Sequence, residues 1–254
     1  MTYTSEQEYL AQYQPDQYPT PLLTVDMAIF AVRDGQLQVL LIQRSNYPAK
    51  DQWALPGGFV DLNADPDLMA SAQRKLFEKT AIKSPYLEQV SSVGNATRDP
   101  RGWSVTVLYF ALIDADLLDL AQEHQAFPVE TTQWLPIDQA RRLDLAFDHL
   151  QLLELAVERL SSRSRYTALP LSLMPELFTL TELQHIYEII LGQKLEKKSF
   201  RRRMLDAEMV IETDQTKIAG KRPAQLFRAA RAHDDFHFAR ILEYPRHTVE
   251  NSSN

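Results

Sequence analysis

Residues 53–82 read WALPGGFVDLNADPDLMASAQRKLFEKTAI, and this stretch decides the fold. It begins with a short apolar run, turns at Gly57 and Gly58, passes through a polar loop and ends in a segment with helical periodicity. Asp65 is a suitable N-cap, and Pro66 is favoured at the first position of a helix. The stretch therefore predicts a strand end, a turn, a loop and a helix over residues 66–80.

The predicted helix ends in a cluster of charged side chains, and residues 74–82 read RKLFEKTAI. This spacing resembles the box of the Nudix hydrolases, in which a glycine precedes a helical segment REUxEExGU, where U is aliphatic. The positions that match the pattern are Arg74, Leu76, Glu78 and Ile82. The positions that depart from it are Lys75, Lys79 and Ala81, and the loop after Gly58 is two residues longer than in the pattern.

The two lysines change what the box can do. A Nudix box holds Mg²⁺ against a pyrophosphate with several carboxylates on one helical face. Lys75 and Lys79 place ammonium groups where the pattern has carboxylates. The loop glutamate of the pattern falls on Ala64, Asp65 or Pro66. Ammonium groups do not coordinate a hard cation, but they can contact a diphosphate.

We therefore expect a site that binds a nucleoside diphosphate compound and does not cut it. We also expect that the site has no catalytic residue and no metal ligand, and that the protein requires no cofactor. The alternative is that Lys75 and Lys79 are simply solvated helix residues, which is easier to accept for one lysine than for both.

Composition limits the possible classes of protein. The chain has 254 residues, of which 44% are hydrophobic, and no cysteine. This suits one large domain or two ordinary ones, and it excludes disulfides and thiolate metal sites. No stretch approaches the roughly 18 uninterrupted apolar residues of a membrane span. The first residues lack the basic start and apolar core of a secretory signal, so we expect a cytoplasmic protein without a membrane partner.

Charge is unevenly distributed along the chain. Residues 192–231 contain 11 Lys and Arg against 5 Asp and Glu, a net charge of +6. Since the whole chain has a net charge of −7, the remainder carries −13. An acidic body with a basic C-terminal segment indicates a polyanionic partner for that segment alone.

The first domain is predicted to be an α/β/α sandwich over residues 21–160, after an N-terminal arm of residues 1–20. Strands are expected at 24–33, 37–44, 90–97, 103–113 and 132–136, with Asp34 and Gly35 as a hairpin signal. A long amphipathic helix is expected over residues 144–160, where His149 would be a packing residue and not a base. Strands enclosed by two helices give the three layers, and this is also the Nudix architecture.

The candidate ligand contacts lie in the box and in loops that could border it. Arginine forks suit diphosphates, and aromatic rings could stack on a base, although for any one of these rings the core is the favoured interpretation. The predicted ligand-binding residues are Arg44, Trp53, Gly57, Gly58, Phe59, Lys75, Glu78, Lys79, Arg98, Arg101 and Trp103.

A second domain is predicted over residues 176–240. Residues 161–175 form either a linker or an ordered crossover, and 241–254 form a tail. A capping box at residues 179–182 begins a helix over 181–191, Gly192 ends it, and Ser199 caps a second helix over 200–208. Strands at 209–212 and 224–228 then enclose a basic hairpin tip. This order predicts a winged helix-turn-helix.

The second helix and the hairpin carry the basic residues that suit DNA. Arginines on a helix can read guanine in the major groove, whereas residues on a wing contact the backbone or the minor groove. A solvated basic helix is the alternative, but helix order, turn and wing together favour nucleic acid. The predicted DNA-binding residues are Lys198, Ser199, Arg201, Arg202, Arg203, Lys217, Lys221 and Arg222.

Residues 20–240 as a whole resemble the Nudix-related transcriptional regulators of NAD metabolism. The resemblance rests on QRSNYPAKDQWALPGGFVD, the RDPRG loop, LAFDH, FTLTELQHIYEIILG and FRRRML, in this order. It implies a bacterial homodimer that represses genes of NAD synthesis or salvage. It also implies binding to a palindromic double-stranded DNA operator, and release from it when the effector ADP-ribose occupies the Nudix domain.

Two other functions stay open from the sequence. One is a working Mg²⁺-dependent Nudix hydrolase of ADP-ribose whose basic second domain only positions RNA or a partner protein. The other is a DNA-binding scaffold whose first domain only dimerises. The first alternative predicts AMP and ribose phosphate as products, and the second predicts no saturable nucleotide binding.

Overall fold

The structure is a computed structural model. It describes residues 3–14, 17–82, 86–117, 131–219, 222–230, 236–238 and 241–242, with the side chains at 219 and 222 excepted. The strands are β1 Leu22–Arg33, β2 Gln36–Gln43, β3 Trp53–Ala54, β4 Gly57–Phe59, β5 Tyr86–Asn95, β6 Ser104–Leu112, β7 Thr132–Pro136, β8 Val210–Ala219 and β9 Arg222–Ala229. The helices are α1 Glu6–Gln12, α2 Leu68–Thr80, α3 Ile137–Ala140, α4 His149–Tyr166, α5 Leu180–Leu191 and α6 Lys197–Asp206, with a 3-10 helix at Leu169–Leu173.

Strand β1 lies in the middle of a mixed seven-stranded sheet. The order is β3-β2-β1-β6-β5, with β4 paired to β1 and β7 paired to β2. Strand β1 runs parallel to β6 and antiparallel to β2 and β4. The hairpin predicted at Asp34 and Gly35 joins β1 to β2, and both residues adopt positive φ.

Helices cover both faces of this sheet. Alternate residues of β1 point to opposite sides, so Met27 packs in the core that contains Leu76 of α2. Phe30 packs on the other side, in the core that contains Leu152 and Leu153 of α4. The predicted α/β/α sandwich is confirmed.

Helix α2 begins later than predicted. It starts at Leu68, and its N-cap is Asp67, whose carboxylate accepts a hydrogen bond from the backbone N–H of Ala70. The expected cap, Asp65, instead receives the guanidinium of Arg74 at 2.6 Å. Asp65 lies six residues before Ser71 and also accepts its hydroxyl hydrogen bond. Asp65 therefore forms an ion pair with Arg74 instead of the N-cap of α2 that local sequence preference predicts.

Helix α4 and the segment after it differ most from the sequence prediction. The helix runs from His149 to Tyr166, later at both ends than the predicted 144–160. The region expected as a linker or a crossover contains its last turns and the 3-10 helix. Leu169 packs in the sandwich core, whereas Ala168 and Leu171 pack in the core of the second domain. The segment is an ordered crossover that belongs to both cores.

The second domain has the predicted order of helix, turn, helix and two-stranded wing. Thr179 and Glu182 form the predicted capping box, and Gly192 ends α5 with φ of 64°. Helix α6 begins at Lys197 rather than Phe200, because Glu196 and not Ser199 is its N-cap. The wing strands β8 and β9 are longer than expected and pair with a register shift between Glu212 and Thr216.

The N-terminal arm and the predicted tail flank the two domains. The N-terminal arm contains α1, which buries no side chain. Of the predicted tail, only residues 241–242 belong to the described part. Across the described ranges, no helix combines the length and the apolar character that crossing a membrane requires.

Replacing Leu169 by alanine should show that the crossover is part of the core. Leu169 is fully buried, so Leu169→Ala should lower the free energy of unfolding by about 2–5 kcal/mol, which urea unfolding measures. Leu150→Ala removes a leucine that is 38% exposed on α4 and should cost less than about 1 kcal/mol. Equal losses for the two variants would contradict the assignment.

Candidate functional site

A cleft of about 190 Å³ lies at the end of the sheet where β1, β4 and the RDPRG loop meet. Its lining combines backbone of the glycine turn with charged and aromatic side chains. The lining residues are Thr24, Asp26, Ile42, Arg44, Leu55, Gly57, Gly58, Phe59, Arg98, Asp99, Arg101, Phe147 and His149. Concave sites that mix apolar walls with a few polar groups are typical ligand sites.

The glycine turn is required by close backbone packing. Strand β4 pairs with β1 so tightly that a Cβ on Gly57 would lie 2.1 Å from Oδ1 of Asp26. Gly58 has φ of 151°, a conformation that side chains disfavour, and a Cβ there would lie 3.2 Å from Cε of Lys75. The turn can therefore hold its position only with two glycines, and it brings Lys75 of the box helix directly behind the cleft wall.

Two arginines lie over aromatic rings at the cleft. The guanidinium of Arg44 is 4.7 Å from the ring centre of Phe147, and that of Arg101 is 4.9 Å from the ring centre of Phe59. Asp99 holds Arg101 through a hydrogen bond of 2.7 Å. The Arg101 contact also lowers the pKa of Asp99 below its ordinary value. Cation–π contacts of this kind fix the planes of both groups.

A buried ion pair forms another wall of the cleft. Arg98 donates from Nε and Nη2 to the two carboxylate oxygens of Asp148, each at 2.9 Å. Its Nη2 also lies 3.7 Å from Asp26. The guanidinium is only 4% exposed, so its charge is balanced by these carboxylates in the described structure. Arg98 therefore faces the cleft with its fork already engaged.

His149 is a structural acceptor in the cleft floor. Its Nδ1 accepts a hydrogen bond from the backbone N–H of Leu55 at 2.9 Å, which requires the neutral ring. Burial lowers the pKa of His149, although Asp26 and Asp148 oppose this shift. The structure thus agrees with the expectation that His149 is a packing residue.

The charged side chains of the box helix are paired with each other. Arg74 contacts Glu78 at 2.9 Å, and Lys75 contacts the other oxygen of Glu78 at 3.1 Å. Partial burial opposes ionisation of Glu78, but these two cations outweigh it and hold its pKa below the ordinary value. A carboxylate between two cations is a poor ligand for a third cation. In the part of the chain that the structure describes, no group of three or more His, Cys, Asp or Glu is arranged for a metal ion.

The structure brings together six of the predicted ligand residues. These are Arg44, Gly57, Gly58, Phe59, Arg98 and Arg101. Lys75, Glu78 and Lys79 lie on α2 behind the glycine turn and outside the lining. Trp53 packs against the sandwich core, and Trp103 is half exposed beside Gly94. Trp53 lies in β3 and Trp103 in the loop before β6, and neither ring is part of the cleft lining.

Several lining residues were missed by sequence reasoning. Phe147 and His149 belong to the LAFDH stretch, which was noted without a ligand role for the phenylalanine. Asp99 belongs to the RDPRG loop, so its place between two predicted arginines was the available signal. Thr24 and Asp26 gave no signal, because a polar residue at a buried strand position cannot be distinguished from one facing solvent by alternation alone.

Helix α6 presents a basic face. Lys198, Ser199 and Arg202 are exposed, and Arg201 is half-buried, whereas Phe200 and Met204 point into the domain core. Glu196 accepts hydrogen bonds from the backbone N–H groups of Lys198 and Ser199 at 2.9 and 2.7 Å. The start of the helix is therefore already capped by an anion, so a DNA phosphate could bind these N–H groups only if that carboxylate moved.

Of the remaining predicted DNA contacts, Arg203 is placed differently from the expectation, whereas Lys217 lies on the wing as expected. Arg203 does not point outward: it lies 3.7 Å over the ring of Phe238 and donates to the carbonyl of Arg165 at 3.0 Å. Lys217 is 58% exposed on the wing and pairs with Glu182 at 2.9 Å. Lys221 and the side chain of Arg222 lie outside the described residues.

Two domain families match this arrangement. The NUDIX domain matches residues 22–156, and the NrtR DNA-binding winged helix domain matches residues 170–229. The chain belongs to the NrtR family of Nudix-domain proteins.

Relatives of this family cover nearly the whole chain. The ADPR responsive transcriptional repressor NtrR of Acinetobacter baylyi is 65% identical over 247 residues, 97% of each chain. The structure resembles the crystal structure of Shewanella oneidensis NrtR complexed with a 27mer DNA, with 44% identity and a TM-score of 0.81. That match covers 87% of this chain and 99% of the other.

A further solved structure matches the first domain alone. It is the NUDIX domain of Shewanella oneidensis NrtR complexed with ADP ribose, with 45% identity and a TM-score of 0.53. The match covers 62% of this chain and 99% of the other. The two-domain order expected from the sequence, a Nudix domain followed by a winged helix, is confirmed.

The buried neutral state of His149 predicts a pH dependence of stability. Its folded pKa is lowered from about 6.5, so the unfolded chain binds more protons than the folded one below that pH. The free energy of unfolding should therefore fall as the pH drops below about 6.5, by up to about 1.4 kcal/mol per pH unit. Urea unfolding between about pH 5 and pH 7 measures this slope.

His149→Gln keeps an acceptor for Leu55 and removes the titration, so its slope in that interval should be smaller than that of the wild type. Gln151→Ala, an exposed change on the same helix that removes no titratable group, is the matched control and should keep the wild-type slope. Parallel curves for the wild type and His149→Gln would refute the assignment.

Proposed function

We propose that this chain is an ADP-ribose-responsive transcriptional repressor. It binds a palindromic operator of NAD synthesis or salvage genes as a homodimer and leaves the operator when ADP-ribose occupies the Nudix domain. The observation that carries the proposal is the two-domain match, at 65% identity over 97% of each chain, to a repressor described as ADPR responsive. Structures of a relative with DNA and of its Nudix domain with ADP ribose support the two halves separately.

The cleft chemistry supports a diphosphate ligand with an attached base. Arg44 and Arg101 bring two guanidinium groups to the lining, and Phe59 and Phe147 bring two rings. Guanidinium forks match diphosphate oxygens, and aromatic rings are the side chains on which a planar base stacks. Lys75 lies behind Gly58, pairs with Glu78 and occupies a position where the Nudix pattern has a carboxylate.

The box chemistry supports binding without cleavage. Glu78 is shared between Arg74 and Lys75, and Lys79 occupies a second carboxylate position of the pattern. Without several convergent carboxylates, Mg²⁺ has no way to polarise the diphosphate or to activate a water molecule. We therefore propose that the chain is not a hydrolase and requires no cofactor.

The winged helix supports double-stranded DNA as the partner. Lys198, Arg201, Arg202 and Lys217 lie on α6 and the wing, and these are the elements that enter or flank the grooves in this fold. Two such domains in a symmetric dimer contact two half-sites, so the operator would be palindromic. A repressor works where the genome is, so the proposal implies a protein of the bacterial cytoplasm, at the nucleoid when bound.

ADP-ribose should release the protein from its operator. Genomic fragments selected by the protein are tested by gel retardation at one stated salt concentration, because phosphate contacts make the affinity steeply salt-dependent. We expect one specific fragment to be retained and ADP-ribose to weaken its binding by about 5–150-fold. A protein that retains no fragment over bulk DNA, or that ignores ADP-ribose, would contradict the proposal.

Two matched arginine variants locate the DNA contact. Arg202→Ala removes an exposed arginine from α6 and should weaken operator binding by about 1–3 kcal/mol if it reads a base. Arg141→Ala removes an arginine that pairs with Asp138 and Glu154 on the first domain, so it should leave operator binding unchanged.

Incubation with Mg²⁺ and ADP-ribose tests the hydrolase alternative. We expect no AMP and no ribose phosphate above the background of protein-free buffer, with chromatography as the readout. Restoring the pattern with a Lys75→Glu and Lys79→Glu double variant provides the comparison for the same fold. Turnover by the wild type, with release of both products, would establish the hydrolase instead.

A further inference from the structure

Helix α4 joins the two candidate sites of the molecule. Its 18 residues extend over about 27 Å, at 1.5 Å per residue. His149, its first residue, lines the ligand cleft. Near its other end, the carbonyl of Arg165 accepts the hydrogen bond from Arg203 of α6 at 3.0 Å. One continuous helix therefore contacts both the cleft and the DNA-binding helix.

At the cleft end, Asp148 is held by Arg98 and not by the helix that follows it. Asp148 is the residue immediately before α4, but its side chain makes no capping hydrogen bond. Both of its carboxylate oxygens instead accept from the guanidinium of Arg98, at 2.9 Å each. The side chains are 4% and 15% exposed, so this pair is largely shielded from solvent. It fixes the start of α4 to the cleft wall.

The cleft that Arg98 lines is small. Its volume of about 190 Å³ is smaller than the roughly 300–1,000 Å³ of sites that enclose a whole small molecule. A diphosphate that reaches Arg98 competes with Asp148, because phosphate and carboxylate oxygens accept the same guanidinium fork. Two anions at one guanidinium also repel each other. The segment that leads into α4 therefore favours one position when Asp148 binds Arg98 and another when a ligand binds Arg98.

We propose that Asp148 is a positioning residue through which the cleft transmits its occupancy to the DNA-binding domain. This inference rests on the proposed function and names the regulation of the same site. A ligand on Arg98 releases Asp148, and the start of α4 shifts away from the cleft wall. The shift reaches α6 through the bond between Arg203 and Arg165. It reaches α5 through the core that holds Leu160 of α4 and Ile190 of α5.

Asp148→Asn in the full chain tests this role. The quantity measured is the factor by which saturating ADP-ribose weakens operator binding, at one salt concentration. In the wild type this factor should lie at about 5–150, the usual range for coupled sites, whereas in the variant it should fall toward about 1. Calorimetry should show ADP-ribose bound at least as tightly by the variant, because a competing carboxylate has been removed.

Asp138→Asn is the matched control. It removes a carboxylate of the same domain that is 83% exposed and pairs with Arg141, so its factor should equal that of the wild type. A merely structural Asp148 would lower the thermal midpoint and weaken both ligands, but would leave the factor unchanged. An unchanged factor in Asp148→Asn would overturn the inference while the proposed function stands. No ADP-ribose effect in the wild type would overturn the proposed function itself.

Hydrogen exchange on the wild type gives a second test that needs no variant. ADP-ribose should increase amide exchange in residues 149–153, where Leu152 donates to the carbonyl of Asp148. It should also change exchange in residues 163–167 and 200–206, at the far end of α4 and in α6. Changes confined to the cleft-lining segments would overturn the inference even if Asp148→Asn fails to fold.

Discussion

The rest of the structure depends on the burial of strand β1 on both of its faces. Val25, Met27, Ala28, Ile29, Phe30 and Ala31 are all fully buried. A strand in this position needs an apolar layer on each side, which α2 and α4 supply. With both helices docked, the start of α4 and strand β4 meet at the same end of β1. The cleft is the consequence of this geometry.

The sequence predicted the layers, the two-domain order and most strands, because these follow from local periodicity and turn chemistry. It did not predict where the charged side chains of the site would find partners. Asp65 was expected to cap α2, but Arg74 draws it into an ion pair. Arg203 was expected to face DNA, but Phe238 and the carbonyl of Arg165 hold it. Such contacts join residues nine or more positions apart, beyond the one-turn spacing that helix capping and periodicity rules use.

Local sequence pattern also failed to predict how the crossover at residues 161–175 packs between the two domains. Serines, arginines and prolines in residues 161–175 are compatible with an exposed linker, and only the packing distinguishes the two possibilities. Ser164 is fully buried, and its hydroxyl donates a hydrogen bond to the carbonyl of Leu160 one turn earlier, so its donor is not left unpaired. A polar side chain that hydrogen-bonds to the backbone of its own helix can thus be buried in a core, although composition alone predicts that it is exposed.

The paired charges of the box helix suit a receptor better than an enzyme. A receptor must release its effector chemically unchanged, because the protein reports the concentration of that effector. A complete carboxylate set would hold Mg²⁺ and consume the ligand, whereas Lys75 supplies positive charge without a metal-bound water. A lysine is also part of the chain itself, so diphosphate binding would not depend on the supply of a divalent cation. In the receptor proposed above, the absence of hydrolysis and the persistence of the signal would both follow from Lys75 and Lys79.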